Sequence, residues 1–331
     1  MDDRPLSKVW LGRILSAACQ TDHVPFVTRC ISTAQRADSQ VTVQEVLQEG
    51  LKRATNRAAI KCLHYVLELG ANVHRLSPHW LVSTEGTSAS MREVLEILVA
   101  HGYDINSEGD GLPVLWHVGV GDYDFLKWCL DRGANVNPPD SALPGKRSLR
   151  EALLERAAVV GDIDTFELLR SKGAPFDRNF GVFPKVVMAA NDCPSESKIC
   201  MLTHLLEVVG CDVNSRSYGP YYRSGSMCST PLCWIACHQR NVNVKELIWL
   251  LLNHGGDLDR SFEWTVSHND VEVVQSARQT AQQSPSTRDF NPLFWEAVEE
   301  WENRRRIRSS GEVTMNAEEV SDCQHKPAAI D

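Results

Sequence analysis

Apolar residues along most of this chain recur at the spacing of one helix face, with polar residues between them. Within Asp122–Arg132, Phe125, Leu126, Cys129 and Leu130 fall at i, i+1, i+4 and i+5. That period predicts an amphipathic helix. Gly133 follows and predicts its end, because glycine takes the left-handed cap conformation without a Cβ clash. The same pattern closes at Gly70, Gly102, Gly173, Gly210 and Gly255, and the six glycines are spaced 32, 31, 40, 37 and 45 residues apart. His101, Arg132, Lys172 and His254 directly precede four of them. A positive charge there complements the negative end of the helix dipole. The Asn/Asp-rich pieces after each glycine, such as Ala134-Asn135-Val136-Asn137, read as turns.

A second helix is predicted ahead of each of these. Ser229-Thr230-Pro231-Leu232 supplies a Thr N-cap and a Pro at the first helical position, whose N–H has no partner in a helix. Leu112-Pro113-Val114-Leu115-Trp116 opens another. Such helices end in small residues, as in Ala157-Ala158-Val159-Val160-Gly161 and Ala189-Ala190-Asn191-Asp192. Gly121 precedes Gly133 by twelve residues and Gly161 precedes Gly173 by twelve, so two repeats keep one internal register. A period near 32 residues with insertions predicts a solenoid of small helical units.

These residues resemble the ankyrin-repeat family, whose unit runs Thr-Pro-Leu-His-x-Ala-Ala-x-x-Gly, then a second helix, then Gly-Ala-Asp-Val-Asn. Leu112 to Asn137 and Thr230 to Asp259 match best. The units around Leu15–Thr21 and Lys52–Ala58 keep the register but lose the motif glycine. The resemblance implies an all-α ankyrin-repeat solenoid of helix-turn-helix units with short β-hairpin finger loops. It implies a lead-in over 1–12 and an array over 13–280. About seven units are expected, plus a terminal half-unit in which Trp264 to Val274 forms a capping helix. Residues 281–308 read as a linker and an amphipathic helix, Leu293 to Arg308, which Pro292 starts; Phe294, Val298 and Trp301 form its apolar stripe. Residues 309–331 are polar and read as a disordered tail.

Composition narrows the function classes. The 331 residues carry 34 Lys and Arg against 43 Asp and Glu, a net charge of −9. An acidic chain is a poor general binder of nucleic acid, so no nucleic-acid partner is expected. No apolar run approaches the length of a membrane span; Ile248 to Leu252 is five residues. The acidic N-terminus lacks a secretory-signal layout. Eleven scattered cysteines suit reduced thiols, and so a cytoplasmic and also a nuclear location, better than a disulfide framework. A monomer is expected.

Chemical motifs are weak. Cys228, Cys233, Cys237 and His238 lack paired Cys-x-x-Cys knuckles, and helix packing is the favoured reading over zinc. Gly119-Val120-Gly121 lacks the third glycine of a dinucleotide loop. No catalytic, cofactor-binding or metal residues are assigned, and the chain reads as a non-enzyme. Trp116 and Trp234 share one register and read as packing between repeats, with a partner anchor as the alternative. Arg304 to Arg308 read as a charged helix end, with nuclear import as the alternative.

The resemblance implies a protein-binding scaffold that takes its partner on the concave and finger face. By carry-over, the contact positions are Asn56 and Arg57, Glu108 and Asp110, Gly119 and Val120, Val159 and Val160, Asn191 and Asp192, and Cys237 and His238. The long finger after Asn214 holds Tyr218, Tyr221, Tyr222 and Arg223, residue types common at interfaces, and reads equally as a contact loop or as a flexible insertion. The alternative is an adaptor or regulatory subunit of a ubiquitin ligase, transcriptional complex or biosynthetic pathway. In that reading, Trp301 on the C-terminal helix is a second docking point.

Overall fold

The computed structural model describes residues 8–36, 39–81, 88–108, 113–117, 120–137, 152–176, 182–215, 230–237, 244–260, 262–266, 271–282 and 292–321. The chain divides into two compact units, Met1–Ala157 with Asp164–Phe176, and Ala158–Ile163 with Asp177–Asp331. Helices come in pairs throughout. The early pairs are α1 (Lys8–Gln20) with α2 (Val24–Ala34), then α3 (Val43–Arg57) with α4 (Ile60–Glu68). A short 3-10 helix, Pro78–Leu81, precedes α5 (Ser88–Ala100), and α6 (Val114–His117) precedes α7 (Tyr123–Asp131). The boundary between the units passes through the pair α8 (Ala152–Val160) and α9 (Ile163–Ser171). The second unit continues with α10 (Val182–Asp192) and α11 (Glu196–His204), which widens into a π turn over Leu205–Val209. Then come α12 (Pro231–Cys237), α13 (Lys245–Asn253), α14 (Ala277–Gln282) and α15 (Pro292–Ser321).

Each unit buries its apolar faces by stacking like on like. In the first, α1 packs on α3, while α2 packs on α4, α4 on α5 and α5 on α7. In the second, α10 packs on α12, α12 on α14 and α13 on α15. Leu15, Leu47, Leu51 and Leu63 are fully buried in the first unit, and Phe183 and Phe294 in the second.

The helix ends carry the repeat. Gly133 sits at φ 84°, its N–H donates to the Leu130 carbonyl at 3.0 Å, and the Ala134 N–H donates to the Cys129 carbonyl at 3.0 Å. This is a Schellman cap, and the same pair of bonds closes the helices before Gly70, Gly102, Gly173 and Gly255. His101 and His254 add a side-chain cap: each Nδ1 donates to the carbonyl four residues back, Ile97 at 2.8 Å and Leu250 at 2.9 Å. In the two degenerate units, Asp22 at φ 47° and Ala58 at φ 50° occupy the turn position that Gly161 holds in its own pair. Side chains replace the missing glycines at an energetic cost, since non-glycine residues rarely enter this region.

The Asn/Asp-rich turns after these caps join one repeat to the next. Asp212 Oδ1 accepts from its neighbour's backbone, the Asn214 N–H, at 2.9 Å. Asn214 then reaches across: its Nδ2 donates to the Gly255 carbonyl at 3.0 Å and its Oδ1 accepts the Asp257 N–H at 2.8 Å. Asn106 makes the same clamp onto the Gly133 carbonyl at 2.9 Å and the Asn135 N–H at 2.7 Å. The amide donates with its nitrogen and accepts with its oxygen, so one side chain makes both bonds. Asn214→Ala is expected to destabilise by about 1–2 kcal/mol, two net hydrogen bonds. Asn214→Asp keeps the acceptor alone and is expected to lose about half as much. Urea unfolding midpoints and amide exchange at Asp257 check both.

Two expectations are corrected here. Residues 264–274 do not form a capping helix. Phe262–Val266 and Val271–Gln275 pair as an antiparallel hairpin, with Trp264 opposite Val273. The hairpin joins α13 to α14, the place of a finger. The last repeat is therefore complete: α14 is its first helix and α15 its second. The C-terminal helix also outruns its expected end at Arg308, reaching Ser321 without a break, so 309–321 is helical rather than tail. Residues 322–331 lie outside the described residues.

Candidate partner-binding surface

Three of the carried-over pairs share one structural address. Asn56 and Arg57 are the last residues of α3, Val159 and Val160 of α8, and Asn191 and Asp192 of α10. Burial then separates them. Val160 is exposed, Asp192 is exposed, and Asn56, Arg57, Val159 and Glu108 are half-buried. Asn191 is fully buried and Val120 is buried, so neither offers its side chain to a partner as expected. Asn191 ends a helix turned inward, and both its amide atoms lack a hydrogen-bond partner. Asp110, Tyr218, Tyr221, Tyr222, Arg223 and His238 lie outside the described residues. Trp116 and Trp234 are both buried, in keeping with packing between repeats.

Trp301 belongs to the array. Its Nε1 donates to Asn253 Oδ1 on α13 at 2.8 Å, and Trp249 Nε1 donates back to the Ala297 carbonyl at 2.9 Å. Phe294 and Val298 of the same stripe are fully buried. Lys245 pairs with Glu300 and holds that carboxyl below its ordinary range. Arg278 of α14 bridges Asp259 at 2.8 Å and Glu302 at 3.2 Å. Arg304 to Arg308 lie in the middle of α15, not at a helix end as expected, and two of them cover the tryptophans: Arg304 lies 4.4 Å from the Trp249 ring centre and Arg305 5.3 Å from that of Trp301.

The first unit holds an open groove of about 1050 Å³ between α1, α3 and the turn after Gly70. Arg13, Gln44, Gln48, Lys52, Arg53 and Arg75 contribute its polar wall. The helices that frame it are well anchored. Thr42 and Glu45 form a capping box at the start of α3, with the Thr42 N–H donating to Glu45 Oε2 at 2.8 Å. Gly12 of α1 faces the Arg53–Glu49 pair, with space for a Cβ 3.4 Å from Arg53 Nη2 and Glu49 Oε1. Glu49 is engaged by Arg53 at 2.8 Å and Lys52 at 3.9 Å. Trp80 lies under Lys52 and Arg53, with centroid distances of 5.9 and 5.4 Å. Trp10 lies against Arg13 at 5.5 Å and is 59% exposed. None of these groove residues is among the carried-over positions, which in this part of the chain are Asn56 and Arg57 at the end of α3. Charge was the available signal: residues 1–81 hold ten Lys and Arg against seven Asp and Glu, in a chain of net −9.

The described cysteines are free thiols, most of them buried. Burial pushes Cys30 up to about 11 and Cys129 up to about 12. A hydrogen bond with Cys19, then burial, raises Cys62 as well. Cys233 donates to the Arg260 carbonyl at 3.9 Å. Among the described residues, no group of three or more His, Cys, Asp or Glu is arranged to hold a metal ion. No described helix is long and apolar enough to cross a membrane.

The fold is an ankyrin-type helical repeat, assigned on the paired helices, Schellman caps and asparagine clamps of this chain. No protein-family model and no curated protein matches the chain. Among solved structures, the human ASB11 ankyrin repeat domain is similar to it, with 16% identity, 86% of this chain and 96% of that chain covered, and a TM-score of 0.35.

Proposed function

We propose that this chain is a non-enzymatic scaffold that binds another protein along the first helices and turns of its repeats. What supports the reading is the groove on α1 and α3. It combines a capped helix, α3, with exposed side chains that carry unused hydrogen-bonding capacity, such as Gln44 and Arg75. Preformed surfaces of this kind bind with little ordering cost. Free thiols fit work in a reducing compartment, the cytosol or nucleus. The test is site-specific photocross-linking in an extract of the source cells. A photoreactive residue at Gln44 is expected to capture a discrete protein, and one at Glu93, exposed on the second helix α5, is not. Equal capture at both positions, or none at either, overturns the reading.

A further inference from the structure

We propose that the groove between α1 and α3 receives an extended, acidic peptide segment of the partner; this rests on the scaffold reading and names the partner's chemistry. The balance of charge in the groove is the first argument. Four cations, Arg13, Lys52, Arg53 and Arg75, face two carboxylates, Glu45 and Glu49. Both carboxylates are already engaged. Glu45 accepts from the Thr42 N–H and hydroxyl, at 2.8 and 3.1 Å, and Glu49 is held by Arg53 and Lys52. Arg13 and Arg75 are exposed, and among the described residues no carboxylate lies within ion-pair reach of either. An unengaged guanidinium is a ready bidentate site for a carboxylate.

The neutral groups fit a peptide backbone. Gln44 is exposed with both amide functions open, and Gln48 spends only its Nε2 on the Asn72 carbonyl, at 3.2 Å. A primary amide can donate to a peptide carbonyl and accept from a peptide N–H. Trp10 lies 5.5 Å from Arg13 and Trp80 5.4 Å from Arg53, so aromatic surface borders the charged wall. The same residues argue against a nucleic acid. Affinity for a polyphosphate grows with the number of phosphates neutralised, and only Arg13 and Arg75 are left without a carboxylate partner in the groove, enough for a peptide's side-chain carboxylates but few for a nucleic-acid backbone.

The experiment is selection from a random dodecapeptide display library on the immobilised full chain, followed by fluorescence polarisation with the most enriched peptide. Enriched peptides are expected to be richer in Asp and Glu than the starting library. The double variant Arg13→Glu, Arg75→Glu is expected to weaken binding at least about tenfold, and Arg13→Gln, Arg75→Gln to weaken it less. Thermal unfolding of both variants is expected to match the parent, since both arginines are exposed. Added salt is expected to lower the affinity. Absence of enrichment, enrichment without acidic bias, binding indifferent to both double variants, or displacement by oligothymidine at equal concentration each overturns the proposal. A protein cross-linked at Gln44 that the double variants still capture would keep the scaffold reading while removing this one.

Discussion

Gly161→Ala is expected to lower stability by about 2–6 kcal/mol, beyond the loss from the matching change at Gly133. Both glycines have positive φ, 87° and 84°. Forcing an alanine into that region costs about 1–3 kcal/mol by itself. Around Gly133 a new Cβ meets nothing within 4 Å, so backbone strain is the whole effect. At Gly161 the Cβ would stand 2.8 Å from the Ser197 carbonyl carbon and 2.9 Å from its oxygen. Ser197 lies in the first turn of α11, and its backbone cannot swing away as a flexible side chain would. The helix must move, which adds the cost of an overpacked contact, about 1–3 kcal/mol. Urea unfolding of both variants separates the two terms. Equal midpoints would show that α11 yields at no cost and that the close approach does not constrain the second unit.

The contrast between these glycines marks what the sequence can convey. The cap glycines are legible because a positive φ admits few other residues, so the backbone conformation is written in the residue type. Thr230 and Pro231 are legible for the same kind of reason: α12 starts at Pro231, and Thr230 Oγ1 accepts the Cys233 N–H at 3.4 Å. Depth is not written this way. Transferring a register places Asn191 and Asp192 correctly at the end of α10, yet one is buried and the other exposed, because burial depends on what packs against the helix. The hairpin was legible by another route. Phe262, Trp264 and Val266 alternate with polar residues, and Val271, Val273 and Val274 are β-branched, which is a strand pattern. Reading that stretch as a capping helix follows the family's layout over the residues' own period. The same layout leaves α15 without a role, whereas the hydrogen bonds of Trp249 and Trp301 make it the second helix of the last repeat.

Asp22→Ala is expected to cost about 2–3 kcal/mol, an unusual amount for a residue in a surface turn. The α4 helix begins after Ala59, which has no side chain able to cap it. Asp22, from the preceding repeat, supplies the cap instead: Oδ2 accepts the Lys61 N–H at 3.1 Å and Oδ1 accepts the Cys62 N–H at 2.9 Å. One carboxylate thus satisfies two N–H groups that a helix start leaves unpaired, and its charge meets the positive end of the dipole. Losing an N-cap costs about 0.5–2 kcal/mol, and bonds to a charged group lie above the ordinary range. Asp22 does this from φ 47°, so alanine would lose the cap and keep the strain. Three variants distinguish these contributions. Asp22→Asn tolerates the left-handed backbone and keeps an acceptor, so its loss is expected to be smallest. Asp22→Gly relieves the strain but abandons the cap, and falls between. Asp22→Ala is expected to be the worst of the three. Amide exchange at both Lys61 and Cys62 should accelerate with Gly and Ala, and at only one of the two with Asn, whose amide keeps a single acceptor oxygen. If glycine proves more stable than the parent by the full strain energy and exchange at Lys61 and Cys62 is unchanged, the cap between repeats contributes nothing, and the aspartate is only a strained substitute for the motif glycine.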